Sequence, residues 1–261
     1  MFVVAGPERQ KPGRMMKYLL PFIFLSFYST ALFAQEHTYD DLLILYVDEE
    51  YEKCIRKAER YTSKSDTRRD ALPYLYLSKC YHEMSKDEKY TSQDEWKRAD
   101  REALKYAVRY RKKDKHDEFF KAHEDYWREL NTYAMDAGMS WLEQGNVSKA
   151  RMIFNRMVGY DPGNPGAWQM LALCQSLNRQ HREAEESMEK FHEALAAAEQ
   201  KDPELRYLSS DQFKLMKNAM ILHSEYLTEN GMADSARTVM DLGVAHFEED
   251  PEFRSLYQEL N

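Results

Sequence analysis

The sequence predicts an all-α protein: an α-α superhelix, or solenoid, of about four helical hairpins closed by a C-terminal capping helix. Apolar residues recur at helical spacing along most of the chain, and only 9 Gly and 8 Pro interrupt them. No sustained apolar and polar alternation indicates strands. The pattern also repeats, since Ala184 lies 34 residues after Ala150 in two adjacent hairpins. A short hairpin cannot bury its apolar face alone, so neighbouring copies must stack.

Residues 1–34 are predicted to be an N-terminal extension followed by a secretory signal peptide. Lys17 precedes an apolar run from Tyr18 to Tyr28, and small residues follow it. Ala31 and Ala34 both fit a cleavage site, of which Ala34 is preferred. The alternative is an uncleaved segment that tethers the protein to a membrane, for which the run is short. We therefore expect an exported protein, periplasmic or associated with the cell envelope, with a helical repeat domain at 35–261.

The charge of the chain argues against a nucleic-acid partner. Lys and Arg number 37 and Asp and Glu 45, which gives a net charge of −8. Residues 1–34 contain four of the basic residues and one of the acidic ones, so the remainder carries −11. Such a chain repels a phosphate backbone. We expect a membrane to be contacted only through the N-terminal segment.

Two hairpins are predicted ahead of residue 112, with helices at 39–47 and 49–61 in the first and at 71–81 and 92–110 in the second. A polar insertion at 85–91 separates the two helices of the second hairpin. Ser92 and Glu95 have the spacing of a capping box and are expected to start the helix that follows the insertion. After a solvated break, a long helix is predicted to start near Asp117.

That helix runs into the best-defined hairpin, residues 131–164. Its first helix presents an apolar face, and Gly145 and Asn146 break it, with Asn146 expected to cap the next helix. A second face follows from Val147 to Met157. Asp161 and Pro162 end it, because proline lacks the amide hydrogen and disfavours helical geometry in the preceding residue.

This hairpin resembles a tetratricopeptide repeat (TPR), whose period is about 34 residues. The matching positions are Ala134, Ala137, Gly138, Trp141, Gly145, Ala150, Phe154 and Pro162. Ala134 departs from the family, which usually carries a larger residue such as Trp there. The resemblance implies a stack of helical hairpins that binds proteins or peptides.

The remaining elements continue the pattern. Residues 165–198 form the second good copy, with Asn164 as its cap and Pro165 at the first helical position. Its second helix is expected to run on to Lys201. Ser209 and Gln212 predict a capping box for another long helix, whose partner covers 233–247. The last helix, 251–260, has the apolar and polar faces that suit the end cap of a solenoid.

Motifs for catalysis and metal binding are absent from the sequence. It contains no HExxH, GxSxG, GxGxxG or phosphate-loop pattern, and three cysteines without CxxC spacing argue against structural zinc. We therefore expect no cofactor, no metal and no enzymatic activity. The alternative is an enzyme with a site assembled from scattered residues such as His82, His123 and Glu124. Cys54, Cys80 and Cys174 fall on apolar helix faces, and a bond between Cys54 and Cys80 is left open.

In the TPR family, first-helix residues that do not face the core line an inner groove, where peptides dock. Carried onto this chain, the candidate peptide-binding residues are Lys79, His82, Met135, Met139, Gln169, Leu173 and Ser176. They lack the Lys, Asn and Arg pattern of the family's carboxylate clamp. A methionine-rich groove adapts to varied peptides. The alternative is that the methionines only pack against neighbouring helices.

The sequence thus predicts a non-enzymatic scaffold or adaptor for a protein or peptide partner.

Overall fold

Twelve α-helices make up most of the regular structure that the computed structural model describes, which covers Met1 and residues 37–261. They are α1 Asp40–Val47, α2 Tyr51–Ser63, α3 Leu72–Ser85, α4 Glu88–Thr91, α5 Ala99–Arg111, α6 Glu124–Glu143, α7 Val147–Tyr160, α8 Pro165–Leu177, α9 His181–Lys201, α10 Ser210–Glu229, α11 Ala233–Phe247 and α12 Pro251–Leu260. The described residues contain no strand, so the all-α prediction is confirmed.

Tyr39–Asn261 form one unit. The predictions for residues 1–34, namely the extension, the signal peptide and its cleavage or retention, concern residues outside the described part of the chain. Among the described helices, none has the length and apolar character needed to cross a membrane.

The helices pack in neighbouring pairs. Within residues 39–261 the pairs are α1 with α2, α3 with α5, α6 with α7, α8 with α9 and α10 with α11, and α12 packs against α11. Each pair also packs against an adjacent pair, as in α5 with α7 and α8 with α10. This arrangement is consistent with an α-helical solenoid. It contains five pairs where about four were expected.

A 34-residue period is visible in the backbone of the two central hairpins. Glu143 and Leu177, which end α6 and α8, are 34 residues apart, as are the starts of α7 and α9. The turn between the paired helices uses a left-handed residue at the same place, Gly145 with φ 72° and Arg179 with φ 59°. Such a residue ends a helix by turning the chain away from its axis.

One helix contact skips a hairpin. α6 packs against α10, although the α8–α9 pair lies between them in the chain. Thr132 of α6 donates a hydrogen bond of 2.5 Å to the carboxylate of Asp211 at the start of α10. In a regular solenoid each repeat contacts only its neighbours. This additional contact brings the N-terminal half of α6 close to the first turn of α10.

Two predicted caps are confirmed and three are wrong. The Asn164 side chain accepts from the Ala167 amide, and Ser209 and Gln212 form the reciprocal capping box of α10. Ser92 and Glu95 start no helix, because α5 begins at Ala99 and Asp87 instead caps the one-turn helix α4. The side chain of Asn146 makes no capping hydrogen bond. Thr38, followed by Asp41, is predicted from the sequence to cap the first helix, but no side chain caps α1, which begins after Tyr39.

The long helix predicted from Asp117 begins later, at Glu124, after a single 3-10 turn at Lys121–His123. Asp117 has φ 55°, which is incompatible with a right-handed helix. The preceding loop is organised by Asp114, which is buried and accepts bonds from the amides of Glu118 and Phe120 at 2.9 and 3.1 Å. The loop thereby has a defined path to the start of α6.

The core divides into two clusters of buried side chains. The first extends from Tyr39 to Ala219 and includes most of α2 to α8. The second contains side chains of α9 to α12. Gly138 fits against Phe154 in the first cluster, since a Cβ at Gly138 would lie 2.5 Å from the Phe154 ring. Two residues of the TPR-like pattern are therefore a packing pair.

Candidate functional site

Most of the residues predicted to line an inner groove are buried. His82, Met135, Gln169 and Leu173 are between 0 and 3% exposed, and only Lys79, Met139 and Ser176 are partly exposed. The side-chain amide of Gln169 has no hydrogen-bond partner among the described residues. Buried side chains cannot offer a surface to a peptide, so the seven positions do not form an accessible groove together. Met135 packs in the core, as the alternative interpretation expected.

Lys79 is held in place by aromatic rings. Its ammonium group lies 4.5 Å from the centre of the Tyr46 ring and 5.7 Å from that of Tyr126. Burial lowers its pKa. Contacts of this kind stabilise a lysine that is partly withdrawn from water. The geometry accounts for Lys79 without a ligand.

Two of the three residues of the enzyme alternative, His82 and Glu124, have different surroundings. His82 contacts Glu129 at 3.3 Å, and burial lowers the pKa of its imidazole. Glu124 lines a cavity at the start of α6 whose lining includes neither His82 nor His123.

That cavity is the better candidate for a binding site. It has a volume of about 720 Å³ and lies where α6 begins, α7 ends and α10 begins. The connector between α9 and α10 completes its wall. We call it the Asp161 cavity; its lining residues are Phe120, Lys121, Glu124, Trp127, Arg128, Asn131, Asp161, Gly163, Lys201, Arg206, Tyr207, Leu208, Ser209, Ser210 and Gln212.

Polar side chains from two helices, α6 and α10, meet at Asp161. Its Oδ2 accepts a hydrogen bond of 2.8 Å from Nδ2 of Asn131 on α6 and another of 2.8 Å from Nε2 of Gln212 on α10. Burial raises the pKa of Asp161, and the two amide donors act in the opposite direction. The network exists because the contact between α6 and α10 brings Asn131 and Gln212 to the turn after α7.

One acceptor of the network has no donor. Oε1 of Gln212 accepts from the backbone amide of Ser209 at 3.0 Å, so both ends of that amide group are used. Oδ1 of Asn131 has no partner among the described residues, and Asn131 is 4% exposed. Leaving a buried acceptor unpaired costs about 1–3 kcal/mol.

Stacked aromatic rings form one wall of the cavity. The rings of Phe120 and Trp127 are 5.1 Å apart and nearly parallel, and Nε1 of Trp127 donates to the backbone oxygen of Phe120 at 3.1 Å. The guanidinium of Arg111 lies 4.9 Å from the centre of the Phe120 ring on the loop side. These contacts hold the wall in one arrangement before any ligand binds.

The connector from α9 to α10 forms the opposite wall. Asp202 accepts from the backbone and side chain of Arg206 at 3.1 and 3.2 Å, and Leu205, with φ 54°, turns its side chain into the core. The turn leaves Tyr207 39% exposed, with the ammonium of Lys201 3.8 Å from the centre of its ring. A tyrosine and a lysine are thus presented together at the cavity mouth.

A second cavity adjoins the first. It has a volume of about 540 Å³ and shares Gly163, Lys201 and Tyr207 with the Asp161 cavity. Trp168 lines it, and Nε1 of Trp168 donates to the backbone oxygen of Pro162 at 2.9 Å. The rest of the lining of this Trp168 cavity is Pro162, Lys190, Glu193, Ala194, Ala197 and Ala198. Except for the Lys190–Glu193 ion pair, it is mostly apolar.

The Asp161 cavity is locally basic in an acidic protein. Four of its lining residues are cations, namely Lys121, Arg128, Lys201 and Arg206, against the two acids Glu124 and Asp161. Arg206 is already paired with Asp202 and Glu204. Lys121 and Lys201 have no carboxylate within 4.0 Å among the described residues. The cavity mouth therefore attracts negative charge.

A separate depression along α2 is also lined by cations, but acids on the same surface pair with most of them. Lys53 lies 2.8 Å from Glu50, and Lys57 lies 2.7 Å from Asp41. Its charge is therefore largely compensated, and we set it aside as a binding site.

The three cysteines are free thiols within the described part of the chain, and all are buried. Burial raises the pKa of Cys80, with an interaction with Cys54 adding to the effect, and burial raises that of Cys174 to about 12. Buried thiols of this kind react poorly, because the thiolate is the reactive form. Residues 37–261 contain no group of three His, Cys, Asp or Glu side chains placed to hold a metal ion.

The sequence does not predict this site. Its local pattern accounts for Asp161 only as a helix stop and for Asn131 only as the start of a hairpin. The Asn164 and Ser209 caps were correctly predicted, but nothing local indicated that α6 and α10 contact each other. The odd combination of a buried aspartate with an asparagine and a glutamine becomes visible only when the three elements meet.

No family model, no curated protein and no solved structure matches this chain.

Proposed function

We propose that this protein is a non-enzymatic scaffold or adaptor, exported to the cell envelope, which binds a protein or peptide partner. The TPR-like pattern of the sequence and the pairing of helices support an interaction role. The signal-peptide pattern of the N-terminal segment supports export. The helices are proposed to form a TPR-like superhelix with one interrupted hairpin.

The main structural support for this proposal is the pair of adjoining cavities. They form a concave surface whose walls are fixed by stacked rings, a capping box and an aspartate-centred turn. A surface that is ordered before binding loses little conformational entropy when a partner docks. The site therefore replaces the seven positions taken from the TPR groove, most of which are buried.

Gly163 offers a direct test. It is exposed, lines both cavities, and has no atom within 4 Å of the position that a Cβ would take. Gly163→Trp should fill the junction of the cavities without disturbing the fold. The matched control is Ser140→Trp, which adds the same ring on an exposed position of α6.

The full chain and both variants would be used to capture proteins from an envelope extract of the native host. We expect at least one protein to be retained by the wild type and by Ser140→Trp and to be lost from Gly163→Trp. Equal retention by all three chains, or no retention above background, would refute the proposed function. Circular dichroism melts should show the same transition for the two variants within a few degrees.

A further inference from the structure

Resting on that proposed function, we propose that the two adjoining cavities bind an acidic segment of the partner protein. At least two carboxylate side chains of this segment pair with cations at the mouth of the Asp161 cavity, and an aliphatic side chain of the same segment occupies the Trp168 cavity. The inference specifies the chemistry of the partner, which the proposed function leaves open.

The mouth of the Asp161 cavity carries positive charge that the described part of the chain leaves unpaired. Lys121 and Lys201 are exposed and have no carboxylate within 4.0 Å among the described residues. The exposed Arg128 lies 3.7 Å or more from its nearest acids. Arg206 is not counted, because the acids of its own connector already pair with it. Three cations are therefore available to the carboxylates of a ligand.

Hydroxyl groups beside these cations are also free to donate. Tyr207, Ser209 and Ser210 line the cavity, and the hydroxyls of Tyr207 and Ser210 make no hydrogen bond to the described residues. Oγ of Ser209 accepts from the amide of Gln212 at 3.3 Å, which leaves its own proton for another acceptor. A carboxylate accepts hydrogen bonds and donates none, so it suits both the charge and the donors of the mouth.

The two acids of the lining do not cancel this preference. Glu124 is exposed and lies 3.9 Å from Arg128, so it offsets one cation at most. Asp161 is 8% exposed, it accepts from the amides of Asn131 and Gln212, and the charge of Arg111 also acts on it. An incoming carboxylate at the mouth therefore meets the exposed cations before it meets the buried acid.

The positions of the two lysines favour several carboxylates over one. Lys121 lies in the 3-10 turn before α6, whereas Lys201 is the last residue of α9, so they belong to different walls. The ammonium of Lys201 lies 3.8 Å from the centre of the Tyr207 ring, which holds it at the mouth. A segment with acidic side chains at separate positions can reach both lysines, whereas one terminal carboxylate offers a single group.

The charge of the rest of the molecule favours a short acidic segment over a long polyanion. The chain carries a net charge of −8, so its general field repels negative charge. An extended polyanion such as a nucleic acid would leave the cavities and run over this acidic surface. An acidic segment confined to the mouth meets the local cations alone.

The Trp168 cavity accounts for the apolar part of the segment. Its lining of Trp168, Pro162 and three alanines offers few polar groups, and it meets the Asp161 cavity at Gly163. Lys201 lines both cavities, so a carboxylate that pairs with it lies next to the apolar lining. A Leu- or Ile-sized side chain beside that carboxylate buries apolar area there without leaving a polar group unpaired.

Four fluorescein-labelled peptides of equal length with blocked ends would test these preferences by fluorescence polarisation against the full chain. The first carries a central Leu with glutamates on both sides. The second replaces the glutamates by glutamines, the third replaces them by lysines, and the fourth keeps the glutamates but replaces the Leu by Ala. We expect the first peptide to bind about tenfold more tightly than the second and about threefold more tightly than the fourth, with the third weakest. Its affinity should fall with added salt.

Variants of the lysines locate this binding at the mouth. Lys121→Gln and Lys201→Gln should each weaken the first peptide about threefold, and the double variant about tenfold, while the glutamine peptide changes by less than about twofold. Lys149→Gln is the matched control. Its ammonium also lies over an aromatic ring, 3.7 Å from the centre of Trp141, but it lines neither cavity. All three lysines lie at the surface of their helices or turns, so their replacement is not expected to disturb the core.

Equal binding of the glutamate and glutamine peptides would overturn the inference, as would tightest binding of the lysine peptide or no binding of any. Equal losses in Lys149→Gln and Lys201→Gln would also overturn it, because the charge effect would then not belong to the mouth. So would displacement of the first peptide by an equal concentration of a thymidine oligonucleotide, which would indicate a site for any polyanion.

Those results leave the Gly163→Trp capture experiment unaffected. Failure of the proposed function would appear there, as retention of the same proteins by the blocked variant. Loss of a captured protein from Gly163→Trp together with equal binding of the glutamate and glutamine peptides would retain the proposed function and reject the acidic segment. The two failures are therefore distinguishable.

Discussion

His223 shows how burial alone changes the chemistry of a residue in this protein. It lies on α10 at 4% exposure, and Nδ1 of its ring has no hydrogen-bond partner among the described residues. Burial lowers its pKa from 6.5 to about 4. The folded protein therefore keeps this ring neutral over a range in which the unfolded chain protonates it. His82 and His123 have pKa values lowered in the same direction.

Acid should destabilise the protein through His223. Between pH 6.5 and 4 the unfolded state binds more protons than the folded state, so the free energy of unfolding falls as the pH is lowered through this window. The full contribution of His223 is about 3 kcal/mol. His223→Phe should flatten the dependence of the melting temperature on pH, as measured by calorimetry at several pH values. His116→Gln, at an exposed position, is the control, and an unchanged slope in His223→Phe would contradict the expectation.

At the same scale, the residues of the candidate site illustrate what a sequence does not reveal. Asp161 follows α7, and Asn131 lies on the buried face of α6. The position of each residue in its own element is enough to account for it without a binding site. Their joint role depends on Gln212, which is 51 residues beyond Asp161. Single-residue patterns predict caps and breaks because those depend on neighbours in the chain. A network between distant elements depends on packing, which periodicity does not specify.

At the scale of elements, the left-handed turns connect sequence to stability. Gly145 occupies a left-handed position at φ 72°, where the sequence predicts a break, and Gly231 occupies one at φ 76°. Arg179 adopts the same conformation at φ 59°, although it has a side chain. A left-handed conformation costs an ordinary L-residue about 1–2 kcal/mol, a cost that glycine avoids.

Replacing Arg179 by Gly should therefore stabilise the α8–α9 hairpin. We expect a gain of up to about 1 kcal/mol in the free energy of unfolding, measured by urea denaturation. Gly145→Ala, at the equivalent turn, should lose about 1 kcal/mol. Gly163→Ala is the matched control, because that glycine has open space and no left-handed backbone. Destabilisation by Arg179→Gly would show that the arginine side chain stabilises the turn.

The elements predicted wrongly fail for a common reason. Ser92 and Glu95 have the letters of a capping box, yet Trp96 is 5% exposed and packs 6.1 Å from the ring of Tyr81. Burial of a large aromatic ring outweighs a cap of about 1 kcal/mol. No helix begins at Asp117, where one is predicted, because Asp114 accepts hydrogen bonds from the amides of the following loop. In both places tertiary contacts override local propensity.

At the scale of the whole molecule, the stability of the stack is not simply the sum of the stabilities of the helix pairs and of the contacts between neighbouring pairs. The contact between α6 and α10 links hairpins that are not neighbours, and Asp161 is bonded to both helices. The two core clusters meet where α8 to α10 pack. The periodicity of the sequence predicts the stack. The contact between α6 and α10, which builds the candidate site, depends instead on the long helices and the connector around the central repeats.

The C-terminal helix α12 closes the second cluster. Phe253 is fully buried, with its ring centroid 5.5 Å from that of Phe247, and Arg237 of α11 donates to the backbone oxygen of Leu260 at 2.8 Å. Arg254 and Glu259 face solvent, as the end-cap prediction required. Removal of α12 would expose Phe247 and Met220 and would forfeit the burial of Phe253, which is worth about 3–5 kcal/mol.

Ending the chain after Asp250 should therefore weaken the second cluster more than the first. Trp96, Trp127 and Trp141 pack with the first cluster alone, and Trp168 packs with both. Tryptophan fluorescence thus reports mainly on the first cluster, whereas far-ultraviolet circular dichroism reports on all the helices. In urea the two signals should share one midpoint in the full chain and in the control Arg254→Ala. In the shortened chain the dichroism should decline at lower urea, because α9 to α11 unfold first. Coincident transitions in the shortened chain would mean that the contact between α6 and α10 makes the whole stack unfold as one unit.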